Sequence, residues 1–354
     1  MINQLLPSIS YGDAVSDSAL NIMKLIRSMG IKSNIYAQHI HPKMRRYVKE
    51  ASLCPKNESV IYHLSTGSEL AYQLPEFSKQ KILFYHNITP SNYFTGYNDT
   101  LKKRCQDGRD ELNFLADYID VAIAASEYNR AELESLSYKI TLTSPIIVNY
   151  EDYQTKSDSN LEKMLNQDDC TKILFVGRIA PNKKQDDVIK SFYYYQKYIN
   201  PKTKLFLVGS IDGTERYYNE LNILIKNLQL EEYVTITGHI SFNQILSYYR
   251  SADLFLCMSE HEGFCVPILE AMYFQLPIIS YKSSAITETL GSGGFLILEK
   301  DYKVVAELIQ IMLTDKELNS KLRVNQLNQL QKYSKENASE QFRKIFLEFI
   351  KPDY

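Results

Sequence analysis

The chain has 354 residues, 44% apolar and 23% charged, with a formal net charge of −2. That length predicts two domains of ordinary size, and that composition excludes a disordered chain. A balance this close to neutral, with a pI near 6.3, supplies no basic field for nucleic acid, and no nucleic-acid partner is expected.

The N-terminus, MINQLLPSISYGDAV, lacks the basic and then apolar regions of a signal peptide. No apolar run approaches the length of a membrane-spanning helix. Cys54, Cys105, Cys170, Cys257 and Cys265 are scattered, odd in number and without a CxxC pair. Reduced thiols in a cytoplasmic setting are the expectation, with no structural metal.

In chain order, Ser16 or Asp17 is read as the cap of a first helix. Ala19, Leu20, Ile22, Met23, Ile26 and Met29 recur at helical spacing, and Gly30 stops it. Strands follow at 34–37, 60–64, 82–85 and 121–125, with a helix over 101–118 between the last two. Strands separated by helices imply a parallel sheet with crossovers. The segment HPKMRRYVKE, 41–50, mixes Lys43, Arg45, Arg46 and Lys49 with Met44, Tyr47 and Val48. It reads either as a peripheral contact with anionic lipid or as a solvated charged face.

At 152–169 the composition turns polar, which predicts an inter-domain connection with a short helix. The strand pattern then restarts as KILFVG, KLFLVG, YVTITG, DLFLCMS and LPIIS. The first three runs end in Gly177, Gly209 and Gly238. Any one of these reads as a tight βα turn. The series, with Gly263 beyond the fourth strand, points to a ligand crevice at the carboxyl edge of a parallel sheet. After Lys300 the chain reads as helices, the last with Phe342, Ile345, Phe346, Phe349 and Ile350 on one face.

Two stretches carry chemistry. In FVGRIAPNKKQDDVIKSF, 175–192, Arg178 and Lys183 stand between a strand end and a helix start, a place suited to a diphosphate. A solvated charged loop is the alternative. In SEHEGFCVPILEAM, 259–272, Gly263 permits a tight turn and Pro267 suits the first turn of a helix. Glu262 and Glu270 lie eight positions apart, so both carboxylates can face one crevice. On spacing alone, a polyhydroxyl-binding acid pair and two ordinary turn and surface acids remain open.

In this order the two stretches resemble the retaining GT-B glycosyltransferases of family GT4, whose second domain carries a Glu-x7-Glu pair behind a Gly-Arg…Lys segment. YGDAVSDSAL (11–20), IYHLSTGSEL (61–70), YHNITPSNYFTGY (85–97) and AASEYNRAEL (124–133) look like a bacterial surface-polysaccharide, O-antigen-type subgroup of it. Lys184 stands where many members carry glycine. The resemblance implies an α/β GT-B fold: two Rossmann-like doubly wound domains facing a cleft, 1–155 for the acceptor and 165–335 for the nucleotide sugar, with a C-terminal helix (about 338–354) crossing back to the first.

It further implies that Arg178 and Lys183 hold a diphosphate and Glu270 the ribose. Glu262, with the amides of Gly263, Phe264 and Cys265, would hold the donor sugar and phosphate. The strand-end glycines Gly177, Gly209 and Gly238 would line the donor site, with the base near Gly238–Ile240. Gly12 and Asp13 would meet the acceptor, and His86 the donor sugar. Without the family, a lone histidine after a strand reads as structural.

The implied reaction is metal-independent, retaining transfer of a hexose to a saccharide or lipid-linked acceptor, with no cofactor and no DxD triplet. Mannose from GDP-mannose is the first expectation, with UDP-hexoses and dTDP-rhamnose open. The competing readings are a nucleotide-sugar epimerase, a glycosidase and a non-catalytic partner subunit. A glycosidase would have no use for the diphosphate cations.

Overall fold

The computed structural model describes residues 1–10, 12–167 and 169–350. Tyr11, Asp168 and the last four residues of the expected C-terminal helix lie outside them. The chain divides into two compact units. The first comprises Met1–Asn92 and Thr100–Val148 together with the C-terminal stretch from Tyr333, and the second comprises Tyr93–Asp99 and Asn149–Lys332.

In the first unit the strands are β1 (Ile2–Ile9), β2 (Ile35–Ile40), β3 (Val48–Glu50), β4 (Ser59–Leu64), β5 (Lys81–Tyr85), β6 (Val121–Ala124) and β7 (Thr141–Thr143). They form one parallel sheet in the order β3-β2-β1-β4-β5-β6-β7. Strand β1, flanked by β2 and β4, is absent from the sequence reading. Asn3, Gln4 and Ser8 interrupt its apolar run, although seven of its eight residues are buried. Gln4 is tolerated there because both ends of its amide are engaged. Its Nε2 donates to the Ala19 carbonyl at 3.0 Å and its Oε1 lies 2.8 Å from His63 Nε2.

Helix α1 (Ala14–Ser28) is capped by Asp13, not by Ser16 or Asp17. Asp13 Oδ2 accepts from the Ser16 amide and hydroxyl at 3.0 and 2.7 Å. Ser16 is therefore a buried partner of the cap, which moves the helix start forward. Helices α2 (Asp99–Leu115) and α3 (Glu127–Ser135) complete the first half. In the segment 41–50, Met44 and Val48 are buried in the core cluster around Leu6 and Ile35, while Tyr47 is exposed. Two of its three apolar residues are thus spent on the core, and Lys43, Arg45, Arg46 and Lys49 are exposed beside Tyr47. Among the described residues, no helix is long and apolar enough to cross a membrane.

The second unit holds α4 (Ser159–Gln167), then β8 (Thr171–Val176), α5 (Gln185–Tyr198), β9 (Thr203–Val208), α6 (Glu215–Asn227), β10 (Val234–Ile236) and α7 (Phe242–Ser251). These are followed by β11 (Leu254–Cys257), α8 (Val266–Tyr273), β12 (Ile278–Tyr281), α9 (Ile286–Leu290), β13 (Phe295–Ile297), α10 (Tyr302–Thr314) and α11 (Lys316–Lys332). Its sheet is parallel, in the order β10-β9-β8-β11-β12-β13. The chain runs outward one way from β8 and the other way from β11, so the topological switch point lies between these two strands.

The last helix, α12 (Lys335–Phe349), belongs to the first unit. Phe342, Ile345 and Phe346 are buried. Gln341 reaches the Thr143 carbonyl at 2.8 Å, and Gln80 reaches the Phe349 carbonyl at 2.7 Å.

Candidate functional site at the switch point of the second sheet

Two helices start at the switch point, α5 after β8 and α8 after β11. Neither N-terminus is capped by a side chain, and each N-cap residue adopts the left-handed conformation: Lys184 at φ 54 and Cys265 at φ 71. Helix starts without side-chain caps leave amide donors and the positive end of the helix dipole for an anion. The conformation of Lys184 also gives a physical reason for glycine at this place, since a side chain there is strained. The Lys184 ammonium lies 3.2 Å from Asp186 Oδ1. It therefore compensates the acidic first turn of α5, together with Lys190 and with Lys300, which binds Asp187 at 2.8 Å.

Lys183 has a different partner. Its Nζ lies 2.6 Å from Glu262 Oε2, with side chains 21% and 9% exposed. Burial alone would lower the ammonium. The Glu262 carboxylate, with Cys265 and Cys257 beside it, outweighs burial and holds Lys183 above its ordinary value. The pair joins the loop after β8 to the loop after β11. Both loops are fixed by further bonds. The Glu260 amide donates to the Asn182 carbonyl at 2.8 Å and Asn182 Nδ2 to the His261 carbonyl at 3.2 Å. The Glu262 amide donates to Ser284 Oγ at 2.8 Å, and Ser283 Oγ donates to the Ser259 carbonyl at 2.6 Å. None of these supporting residues stands out in the sequence, because backbone groups do most of the bonding.

Glu270 sits on α8, and its side chain is no ordinary surface group. Oε2 accepts from Tyr249 at 2.7 Å and Oε1 from Tyr153 at 3.0 Å. Burial raises its carboxyl, and the two phenols partly offset this. Tyr153 and Tyr249 are site residues the sequence reading passes over. One lies in the polar connecting stretch and the other on α7, and no motif marks either.

The strand-end glycines gather as well. Gly209 forms an antiparallel bridge with Gly238. A Cβ on Gly209 would fall 2.0 Å from the Gly177 carbonyl oxygen, so only glycine allows this backbone approach. Ile240, two residues beyond Gly238, is half-buried. Arg178 is exposed, and its guanidinium donates to the Asp212 carbonyl at 2.7 Å. Phe264 is buried, and its carbonyl accepts from the Thr289 hydroxyl. The sulfurs of Cys257 and Cys265 and a Glu262 oxygen lie within 4.8 Å of one another, a set able to ligate a metal ion. In this structure Lys183 engages that carboxylate, and all five cysteines are free thiols.

His86, Gly12 and Asp13 belong to the first unit. Gly12 has φ 74 and open space where a Cβ would stand. Asp13 serves as the α1 cap, a structural role the motif alone does not reveal. His86 follows β5 and ends a buried chain. Gln4 Oε1 accepts from His63 Nε2, so His63 Nδ1, at 2.9 Å, accepts from His86 Nε2. That leaves His86 Nδ1 as a bare acceptor, buried and without a hydrogen-bond partner among the described residues. Burial lowers both imidazoles, His86 to about 3. Such a group is neutral at pH 7 and suits acceptance of a hydrogen bond better than general-base work.

Residues 157–329 match the family described as glycosyl transferases group 1. The chain is 27% identical over 213 residues to the capsular polysaccharide biosynthesis glycosyltransferase CapM of Staphylococcus aureus, covering 58% of this chain and 53% of CapM. It is 26% identical over 205 residues to the N-acetyl-alpha-D-glucosaminyl L-malate synthase of Bacillus anthracis, covering 57% and 52%. The chain thus spans about half the length of these curated relatives. Among solved structures, Anabaena HepE in complex with UDP-glucose superposes with a TM-score of 0.76 at 17% identity, over 98% of this chain and 99% of that one. OtsA superposes with a TM-score of 0.75 at 11% identity, over 99% and 100%. This chain has the GT-B fold, and its residues 157–329 match the group 1 glycosyltransferase family.

Proposed function

We propose that the protein is a retaining glycosyltransferase that moves a hexose from a nucleoside-diphosphate sugar to a saccharide or lipid-linked saccharide. The observation that carries this reading is the Lys183–Glu262 pair between two helix starts without side-chain caps at the switch point, with Glu270 one helical turn away.

Bond breaking between the anomeric carbon and the phosphate oxygen builds negative charge on the diphosphate. Arg178, Lys183 and the amides at the start of α8 meet that charge, and they favour the transition state because the charge is largest there. Glu262 then has two tasks: orienting Lys183 and accepting from donor-sugar hydroxyls. Glu270, steadied by Tyr249 and Tyr153, retains lone pairs for the ribose hydroxyls. The leaving phosphate takes the acceptor proton, so no strong protein base is required. The neutral His86 fits this scheme, since it offers an acceptor atom and no charge. The fixed cations and helix dipoles carry the leaving-group charge, and turnover is expected to survive chelators.

A thermal-shift screen of GDP-mannose, UDP-glucose, UDP-N-acetylglucosamine and dTDP-rhamnose identifies the donor. A bound sugar at a hundred times its Kd adds about 2.7 kcal/mol. Proton NMR of the product then gives the anomer. Retention supports the reading, inversion contradicts the retaining mechanism, and epimerised donor without acceptor points to an epimerase.

A further inference from the structure

Cys257 and Cys265 stand eight positions apart, so no CxxC spacing pairs them in the sequence. The fold does pair them. Cys257 ends β11 and Cys265 is the N-cap of α8. The loop between them turns back, and both sulfurs and a Glu262 carboxylate oxygen come within 4.8 Å of one another. Among the described residues, Cys54, Cys105 and Cys170 belong to no such group.

Three features of the group fit a metal ion. The donor set is selective: thiolates favour thiophilic ions, and a carboxylate beside them favours zinc over copper(I). The spacing is close to the one required. A tetrahedral zinc ion holds its sulfurs about 3.8 Å apart, so side-chain rotation alone closes the difference. The charges also balance. The Lys183 ammonium neutralises Glu262 at 2.6 Å, and a zinc ion neutralises two thiolates. Exchange of two thiol protons for zinc therefore leaves the buried group neutral. The loop that carries Glu262 is fixed beforehand by its bonds to Asn182 and Ser284, which limits the ordering that binding requires. The sulfurs are buried, while Lys183 is 21% exposed. An ion enters from the Lys183 side.

We propose that Cys257, Cys265 and Glu262 form a zinc site with an open fourth position, and that zinc bound there opposes nucleotide-sugar binding. The opposition rests on the transferase reading above, in which Glu262 orients Lys183 and accepts from the donor sugar; the metal site does not. Zinc draws the carboxylate toward the two sulfurs and away from both tasks. The ion is thereby an inhibitor and not a cofactor.

The test uses the full chain, reduced and stripped of metal by a chelator. Zinc affinity is read by competition with a chromophoric chelator, and cobalt(II) serves as the spectroscopic probe. One zinc ion should bind per chain, and cobalt should show a thiolate-to-metal charge-transfer band with the visible bands of a tetrahedral site. Cys257→Ser should weaken zinc about a hundredfold, the share of one thiolate in a zinc site. Cys170→Ser, outside the group, should change nothing. Cys265 adopts φ 71, where glycine is unstrained. Cys265→Gly should therefore melt within about 4 °C of the wild type and still lose zinc and the cobalt bands, which separates loss of a ligand from loss of the fold. UDP and GDP affinities, read with and without zinc, should fall about tenfold with zinc in the wild type and hold in Cys257→Ser at the same zinc concentration. Free nucleotide chelates zinc equally in both samples, so the comparison cancels that effect. No saturable zinc binding, a cobalt spectrum without the thiolate band, or an affinity that ignores Cys257 and Cys265 overturns the proposal. UDP and GDP affinities that zinc leaves unchanged overturn its inhibitory half. Cysteine-dependent zinc binding by a chain that binds neither UDP nor GDP under any condition would instead overturn the transferase reading and leave the metal site standing.

Discussion

Lys183→Ala should separate the structural from the chemical work of the switch-point pair. The two charges lie 2.6 Å apart and are largely shielded from water. At an effective dielectric near 20 their attraction is about 6 kcal/mol, and desolvation of both ions takes back most of it. Removing the ammonium leaves Glu262 buried and unpaired, which should cost about 3 kcal/mol. Glu262→Gln leaves a lysine that is 21% exposed and can hydrate, so about 2 kcal/mol is expected. The double variant has no stranded charge, and its loss should fall short of the sum of the singles by about 2 kcal/mol. Urea denaturation of the donor-free protein at pH 7 reads all four corners of this cycle. Nucleoside-diphosphate binding, measured alongside, should be weakened in all three variants, because the diphosphate loses either its cation or the group that aims it. Losses that add within about 0.5 kcal/mol would show the pair to be uncoupled and refute the reasoning.

Other expectations follow from the same geometry. Glu270→Ala should weaken UDP or GDP binding at least tenfold by calorimetry; unchanged affinity would remove Glu270 from the nucleotide site. Gly209→Ala should destabilise severely, by about 4 kcal/mol, because its Cβ meets the Gly177 carbonyl at 2.0 Å. Gly238→Ala, with φ 68 and nothing within 4 Å, should lose only about 1 kcal/mol. Glu111 gives a pH signature. Its carboxyl rises from the usual 4.5 to about 8 on folding, so the folded chain keeps a proton that the unfolded chain releases. Stability contributed by this group is whole below about pH 4.5 and is lost as pH rises through 8. Denaturation of Glu111→Gln across this range should lack that slope.

The second sheet was largely legible, because five of its six strands are short apolar-rich runs, three of them closed by glycines, while β13 was not read. The lysine and glutamate motifs were legible as types at a spacing. Which lysine meets which acid was not, since that depends on the left-handed turn at Lys184 sending its ammonium to Asp186 and on Lys183 reaching Glu262. The first sheet was less legible. Strand β1 hides behind Asn3, Gln4 and Ser8, and Gln4 makes sense only once Ala19 and His63 are seen beside it. Asp13 drew notice for its motif, while its capping of α1 through Ser16 required the fold. Met44 and Val48 illustrate the limit of composition: beside four cations they suggest an amphipathic surface, yet the structure places them in the core.

The central claim is that the switch-point pair and Glu270 form a nucleotide-sugar clamp. It is tested most directly by nucleoside-diphosphate release from a panel of nucleotide hexoses, comparing the wild type with Lys183→Ala and Glu270→Ala. The account predicts donor-dependent release that falls about a hundredfold or more in Lys183→Ala and is lost in Glu270→Ala at low donor concentration. Release that proceeds unchanged in both variants, or no release from any donor by the wild type, would contradict it.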